Sequence, residues 1–369
     1  MPQSIKSFLN HKEAKRILFT GGGSTGHVAV NLALIPKFLE EGWEIAYVGS
    51  REGIERELIS QLDGVRYYPI STGKLRRYWD MKNFLDPLKV MGGVFQASRI
   101  IHKWKPHVIF SKGGFVSVPV VIGGFLNRVP TIIHESDITP GLANRIALPF
   151  ASKVLATFPE TRDHIKGDKT QIIGPVVRES IKQGDPQKGR ALCGFTEEKP
   201  VLLVAGGSLG SVAINEKIRS NLDVLLKEFQ IVHLCGKGKL EDSVQRVGYK
   251  CYEYLDKALP DVLAMTDVVV SRAGSNMIFE FLALRKPMLL IPLPKASSRG
   301  DQLLNAESFV KSGYAKVLYE EEMTDSNFLE NLNDVYDKRH QFIENMENVH
   351  DNDSLKVIME VIMDECKKQ

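Results

Sequence analysis

Twice in this chain a short apolar strand runs directly into a glycine-rich loop and then into a helix-forming segment. Ile17-Leu18-Phe19-Thr20 leads into GGGSTGH at residues 21–27, and Pro200-Val201-Leu202-Leu203-Val204-Ala205 leads into GGSLGS at residues 206–211. The glycines let another group approach the backbone closely, and the helix that follows offers unpaired N–H groups at its start. The two loops begin at Gly21 and Gly206, 185 positions apart. After each start the same alternation follows. In the first half, strands are expected at residues 45–48, 65–70, 108–110 and 131–134. An amphipathic helix reaching about residue 41, a helix over 54–62 and a long helix ending at Trp104 lie between them. In the second half, strands are expected at residues 231–234, 251–254, 268–270 and 288–291. Short strands alternating with longer helices predict α/β architecture: two Rossmann-like, doubly wound parallel-sheet domains facing across a cleft.

At 369 residues the chain suits two domains of ordinary size. Gly174-Pro175 interrupts the pattern, so the expected division is a tail at 1–15, domains at 16–176 and 177–345, and a C-terminal helix at 346–369 packing back on the first domain. A formal net charge of +3 argues against nucleic acid as the main partner. Cys193, Cys235, Cys251 and Cys366 have neither CxxC nor metal-ligand spacing, which fits a reducing compartment without structural disulfides. With no secretory apolar segment near the start and no apolar run of about 18 residues, the expected location is the cytoplasm.

The stretch SRAGSNMIFE at 271–280 follows the strand Val268-Val269-Val270 and opens a helix. Backbone N–H groups of Gly274, Ser275 and Asn276 at a helix start suit a phosphate. One turn later the Glu280 carboxylate suits a pair of vicinal sugar hydroxyls, and phosphate plus ribose points to a nucleotide. The loop at 206–211 is a second helix-start anion site, with the Ser208 hydroxyl available to a phosphate. Arg178, just past the domain boundary, either pairs with a diphosphate or forms a structural inter-domain salt bridge. Asp301 and Gln302 follow the strand ending at Ile291, where a sugar's hydroxyls could be read. In the first domain no clean GxGxxG is present and no acidic residue ends the second strand, which counts against a dinucleotide. His27 either accepts a proton from a hydroxyl nucleophile or simply packs the helix start.

No metal site is expected. His134 and Glu135 are adjacent at a strand end and point opposite ways, and residues 351–353 (DND) read as a turn or helix cap. Lys74, Arg76, Arg77 and Trp79, followed by Phe84, Leu85 and Leu88, mix cations with apolar groups, as a surface for anionic lipid headgroups would.

Taken together, GGGSTGHV at 21–28, SKGGFVSVP at 111–119, HESDITPGLAN at 134–144, GGSLGS at 206–211, SRAGSNMIFE at 271–280 and GDQLLNA at 300–306 resemble the MurG family. These are the UDP-N-acetylglucosamine:lipid I N-acetylglucosaminyltransferases of bacterial peptidoglycan synthesis, with the GT-B fold. The resemblance runs from about Lys15 to the last helix. It implies a UDP-GlcNAc donor in the second domain, with Glu280 on the ribose and Ser208 at the phosphates. Arg178, Gln302 and the turn Ser275, Asn276, Met277, Ile278 and Phe279 would also touch the nucleotide sugar. Ser24, Thr25, Gly26 and Asp137 would reach the donor sugar from the first domain. Asp137 stands where asparagine is common, so when ionised it accepts hydrogen bonds without donating. The lipid-linked acceptor would lie at the first glycine loop and at residues 111–115, including Phe115.

The resemblance further implies an inverting transfer to the muramyl C4 hydroxyl of lipid I, giving lipid II, with His27 as candidate base. No cofactor is implied, although a divalent cation could accompany the diphosphate. Expected partners are UDP-GlcNAc, lipid I, the anionic inner-leaflet surface of the cell membrane and cell-wall synthesis proteins, the enzyme being peripheral on its cytoplasmic face. The rivals are another GT-B enzyme, such as a diacylglycerol glycosyltransferase or a UDP-GlcNAc 2-epimerase, and a non-catalytic two-domain sugar-binding protein.

Overall fold

The computed structural model describes residues 14–73, 86–207, 209–241, 244–347, 349 and 353–367. Among them, seven strands form one all-parallel sheet in the order β3-β2-β1-β4-β5-β6-β7, and six form a second in the order β10-β9-β8-β11-β12-β13. The first contains β1 (Arg16–Thr20), β2 (Glu44–Ser50), β3 (Val65–Ile70), β4 (Val108–Ser111), β5 (Thr131–Glu135), β6 (Lys153–Ala156) and β7 (Thr170–Ile172). The second contains β8 (Val201–Ala205), β9 (Gln230–Leu234), β10 (Tyr249–Tyr252), β11 (Val268–Ser271), β12 (Met288–Leu290) and β13 (Ala315–Val317). β6, β7 and β13 extend the sheets beyond the strands expected from sequence. The second helix of the first domain ends early, spanning Ile54–Ile59.

In each sheet the first strand is central, and the neighbouring order reverses beside it, which opens a crevice at the carboxyl ends of the strands. The register puts Thr20 beside Val48 and Ser111, and Ser111 beside Ile133, so the loops after β1, β4 and β5 leave from one edge. In the second sheet Ser271 lies beside Ala205 and Leu290, so the loops after β8, β11 and β12 do the same. Both faces of each sheet are covered, because the central strands are mostly apolar and buried along their length and must exclude water on two sides.

Two chain crossings join the domains. The first is near Gly174, which has φ +77° and so takes a backbone conformation that favours glycine. The second precedes the helix Ser354–Lys367, whose Leu355, Ile358, Val361 and Ile362 pack with Ile17, Phe19, Leu34 and Phe110 of the first domain. The Ser354 hydroxyl donates to the Ile173 carbonyl at 2.6 Å, so the two crossings lie side by side. Phe158 of the first domain packs at an angle against Phe279 and edge-on against Phe309 of the second, with ring centroids 4.9 and 6.3 Å away.

Candidate active site

The first glycine loop leaves β1 and enters the helix Gly26–Glu40, whose N-cap residue Thr25 makes no side-chain cap bond. Backbone carbonyls take up part of the helix start instead, since the His27 and Val28 amides donate to the Ser24 and Thr25 carbonyls at 3.1 and 3.0 Å. The loop is braced from below. The Tyr47 hydroxyl donates to the Gly21 carbonyl at 2.7 Å, and Asn31 donates to the Thr20 carbonyl and the Tyr47 hydroxyl, each at 3.1 Å. From the side comes Glu55, only 1% exposed, accepting from the Gly23 and Ser50 amides at 3.1 and 3.0 Å and from the Ser50 hydroxyl. Although burial alone would raise its pKa, these donors hold the Glu55 carboxylate below the ordinary range. Only glycine fits against it, since a Cβ on Gly22 would lie 2.4 Å from the carboxyl carbon.

His27 stands on the first turn of that helix, its Nδ1 3.2 Å from the Gly22 carbonyl and 3.1 Å from the Ser24 hydroxyl. Burial, aided by the Lys112 and Arg299 charges, pulls its pKa down to about 4, so the imidazole is neutral at physiological pH. Ser24 and Thr25 are exposed beside it, and Phe115 is half-buried on the loop after β4.

On the second domain the turn after β11 enters the helix Ser275–Ala283 through Gly274, again without a side-chain cap. The loop after β8 differs: the Ser211 hydroxyl caps the helix Val212–Ser220 by accepting from Ile214 N–H at 3.3 Å. Buried Arg272 ties these loops together, donating to Ser211 Oγ at 2.6 Å and to the Ile291 and Pro292 carbonyls at 3.0 and 3.1 Å. Gln302, at the start of the helix Asp301–Lys311, accepts from Leu293 N–H at 3.1 Å.

Arg178 and Glu280 find each other. The guanidinium donates through Nε and Nη2 to the two oxygens of Glu280 at 2.7 and 3.1 Å, a bidentate fork. Both partners belong to the second domain, so this pair is not the inter-domain salt bridge expected from sequence; it holds the Glu280 carboxylate in a fixed orientation. Ile278 is fully buried in the core of the second domain, because helical periodicity turns it inward with Phe281 and Leu282, so its side chain cannot line a ligand site. Asn276 is exposed, Met277 is intermediate, and Phe279 divides its surface between the pocket and the inter-domain aromatic cluster.

The two edges meet. A Cβ on Gly26 would come within 2.8 Å of Asn276 Nδ2, and one on Gly141 within 3.1 Å of an Arg299 nitrogen. Asp137 accepts from Asn305 Nδ2 at 3.1 Å across the cleft, while Asn305 Oδ1 accepts from Ile138 N–H at 3.4 Å. Behind them lies a buried polar group on the first domain. Glu135 accepts from the Ser136, Asp137 and Gly141 amides and from Asn144, and Lys112 donates to Ser136 Oγ. Burial raises the Glu135 pKa and lowers that of Lys112. His134 is buried with both ring nitrogens unpartnered.

Sequence reasoning passed over Glu55, Lys112, Arg272 and Asn305. Lys112, Arg272 and Asn305 stand inside the motifs at 111–119, 271–280 and 300–306, whereas Glu55 stands in none of them. Ser208, Lys74, Arg76, Arg77 and Trp79 lie outside the described residues, as do Phe84 and Leu85. Among the described residues no three His, Cys, Asp or Glu side chains group as metal ligands. Asp353 accepts from Lys356 N–H at 3.0 Å at the start of the last helix, the geometry of a cap.

Residues 17–156 match the glycosyltransferase family 28 N-terminal domain, and residues 201–361 match the glycosyltransferase family 28 C-terminal domain. Curated relatives match over nearly the whole chain. Proteins of Geobacillus thermodenitrificans and Geobacillus kaustophilus are 57% and 55% identical over 96% of this chain and 99% of their own. One from Clostridium botulinum is 54% identical over 94% of this chain and 98% of its own. All three bear the name UDP-N-acetylglucosamine–N-acetylmuramyl-(pentapeptide) pyrophosphoryl-undecaprenol N-acetylglucosamine transferase. Among solved structures, MurG of Acinetobacter baumannii superposes with a TM-score of 0.75 at 20% identity, covering 95% of this chain and 99% of that one. A UDP-GlcNAc 2-epimerase of Neisseria meningitidis reaches 0.67 at 14% identity, covering 95% and 100%, so the fold alone does not separate transferase from epimerase. At 54–57% identity over the full length, the curated relatives do: this chain belongs to the MurG family of glycosyltransferases, with two family 28 domains in a GT-B arrangement.

Proposed function

We propose that this protein transfers N-acetylglucosamine from UDP-GlcNAc to the muramyl C4 hydroxyl of lipid I, undecaprenyl-pyrophosphoryl-MurNAc-pentapeptide, and so makes lipid II for peptidoglycan. The observation that carries this reading is the 57% identity, over 96% of the chain, to a relative named for that reaction. The geometry supports it, because two uncapped helix starts, at Gly26 and at Ser275, approach each other across the cleft.

In this reading the helix start at Gly274–Asn276 and the loop at 206–211, including Ser208, take the diphosphate, whose growing charge they stabilise as UDP leaves. Glu280, held in orientation by Arg178, accepts from the ribose hydroxyls. Gln302 and Asp137 read the sugar's hydroxyls, with Ser24, Thr25 and Gly26 closing over it from the first domain. Met277 and Phe279 shape the uracil side, and Ile278 contributes only backbone. The acceptor hydroxyl attacks the anomeric carbon from the face opposite UDP. The C1–O bond breaks with its electron pair leaving on the diphosphate, the configuration inverts, and His27 takes the hydroxyl proton on Nε2. A divalent cation accompanying the diphosphate is compatible with this scheme, which gives it no protein ligand.

The lipid tail needs a membrane face. No helix among the described residues is long and apolar enough to cross a membrane. The helix Asp86–Trp104 exposes Met91 and Phe95, at 68% and 70%, and packs on the helix Ser117–Leu126, which exposes Phe125 and Leu126. Together with Lys74, Arg76, Arg77, Trp79 and Phe115 these residues would seat the first domain on an anionic cytoplasmic leaflet. The test is incubation with UDP-GlcNAc and lipid I. Appearance of a lipid-linked disaccharide supports the reading, and UDP release without that product, or epimerised UDP-sugar, overturns it.

A further inference from the structure

Glu55 and His27 touch opposite ends of one peptide unit. The Gly23 N–H donates to Glu55 Oε2 at 3.1 Å, and the Gly22 carbonyl, part of the same peptide bond, lies 3.2 Å from His27 Nδ1. A carbonyl oxygen only accepts, so that contact requires the proton on Nδ1 and leaves the Nε2 lone pair free. Ser24 Oγ, 3.1 Å from Nδ1, can accept the same hydrogen in a bifurcated bond. We propose that Glu55 is the positioning residue for His27, acting through the Gly22–Gly23 peptide as a carboxylate–amide–imidazole relay that fixes the tautomer with Nε2 as the base. This rests on the reading of His27 as the proton acceptor.

The physical case has three parts. First, Glu55 is ionised and immobile: it is 1% exposed, and its other oxygen is held by the Ser50 amide and hydroxyl. Second, a hydrogen bond from the N–H to a carboxylate polarises the whole amide, so its carbonyl becomes a stronger acceptor for Nδ1–H, and chains of such bonds reinforce one another. As Nε2 takes the substrate proton, the imidazolium charge is stabilised by the carboxylate one peptide away. Third, the carbonyl is enclosed. A Cβ on Gly114 would lie 2.1 Å from it, so the space beside that oxygen is already filled. The other charges that act on His27 are Lys112 and Arg299, both cationic, and Glu55 is the anion opposing them. Tyr47 and Tyr67 are the titratable side chains facing Glu55.

Glu55→Gln is the informative change. If the amide oxygen stays on the Ser50 N–H, its NH2 group must face the Gly23 N–H, donor against donor, and the relay is broken. ¹⁵N-histidine NMR on the full chain reads the tautomer directly, with His27 assigned by difference from His27→Gln. The expected wild-type state at pH 7 is Nδ1–H. In Glu55→Gln the population moves toward Nε2–H, and kcat falls at least ~10-fold, part of the roughly 10²- to 10⁴-fold that a positioned base supplies. KM for UDP-GlcNAc changes less than ~2-fold, because Glu55 contacts none of the second-domain groups assigned to the nucleotide and reaches the loop at 21–27 only through the Gly23 amide, and Glu55→Asp recovers part of the loss. An Nε2–H tautomer in the wild type overturns the relay, even if the Gln variant does not fold. So does a fall in kcat with the tautomer unchanged, which is what loop collapse alone would give. Full turnover in His27→Gln is a separate failure: it removes the base and leaves the tautomer result standing.

Discussion

Arg178→Ala isolates the bidentate ion pair at the proposed donor site. Glu280 is 6% exposed and both its oxygens are carried by the guanidinium, at 2.7 and 3.1 Å, so truncation strands a buried carboxylate. Removing one partner of a fully buried pair costs about 3–5 kcal/mol. Arg178 itself is 38% exposed, so water can take up part of the lost hydrogen bonding, and the expected cost is reduced to about 1–3 kcal/mol. For a domain of this size that is a fall in Tm of roughly 3–10 °C. Glu280→Gln alone should cost less, since it leaves the exposed partner free. The double variant Arg178→Ala/Glu280→Gln should regain most of the loss, because no charge is then stranded. Differential scanning calorimetry on the four proteins gives the coupling energy, and titration calorimetry with UDP gives the functional side. Arg178→Ala should weaken UDP binding through disorder of Glu280. If the two single costs add within ~0.5 kcal/mol, the pair is uncoupled and the reasoning fails.

Phe158→Ala removes a ring that is 2% exposed and packed against Phe279 and Phe309 of the other domain, and it should cost about 3–5 kcal/mol in chemical unfolding. A change under ~1 kcal/mol would mean the inter-domain cluster carries no weight. Burial holds His27 at about 4 and His233, which is bonded to Tyr249 and Asn215, at about 3. Between those values and about 6.5 the unfolded chain binds more protons than the folded one. The stability these two histidines contribute is therefore complete above pH ~6.5 and is lost as pH falls; an unchanged difference in unfolding free energy between pH 7 and pH 5 on the substitution His233→Gln would refute this. Phe95→Asp with Phe125→Asp should reduce sedimentation with anionic vesicles while leaving turnover of a detergent-dispersed acceptor intact, and unchanged vesicle binding would remove these helices from the membrane face.

What could be read from sequence was local. A strand, a glycine turn and a helix start are consecutive, so both nucleotide-type loops and the doubly wound class were visible in periodicity. β13 was not, because Ala315-Lys316-Val317 is three residues long with a lysine at its centre, and Thr170-Gln171-Ile172 of β7 is mostly polar. Both are edge strands, where one side is open and the apolar pattern fades. The supports of the site were hidden for a different reason. Glu55 reaches Gly23 across 32 positions, Arg178 reaches Glu280 across 102, and Asn305 reaches Asp137 across 168, so sequence spacing carries no sign of them. The inward turn of the Ile278 side chain was not legible in the motif, which names consecutive residues, whereas a helix sends every third or fourth one into the core.

The chain passes from the first domain to the second and back, and the Ser354–Ile173 bond sets the outward and return crossings next to each other. Mechanically that is a hinge with two pins on a single axis. A lone tether would let the halves swivel and slide with several degrees of freedom. A pair fastened at one place should permit chiefly rotation about the line through them, so any opening and shutting is expected to retrace one path. It also means that a protease cutting either crossing does not release a domain: the nicked protein stays in one piece, with both halves of the cleft still facing each other.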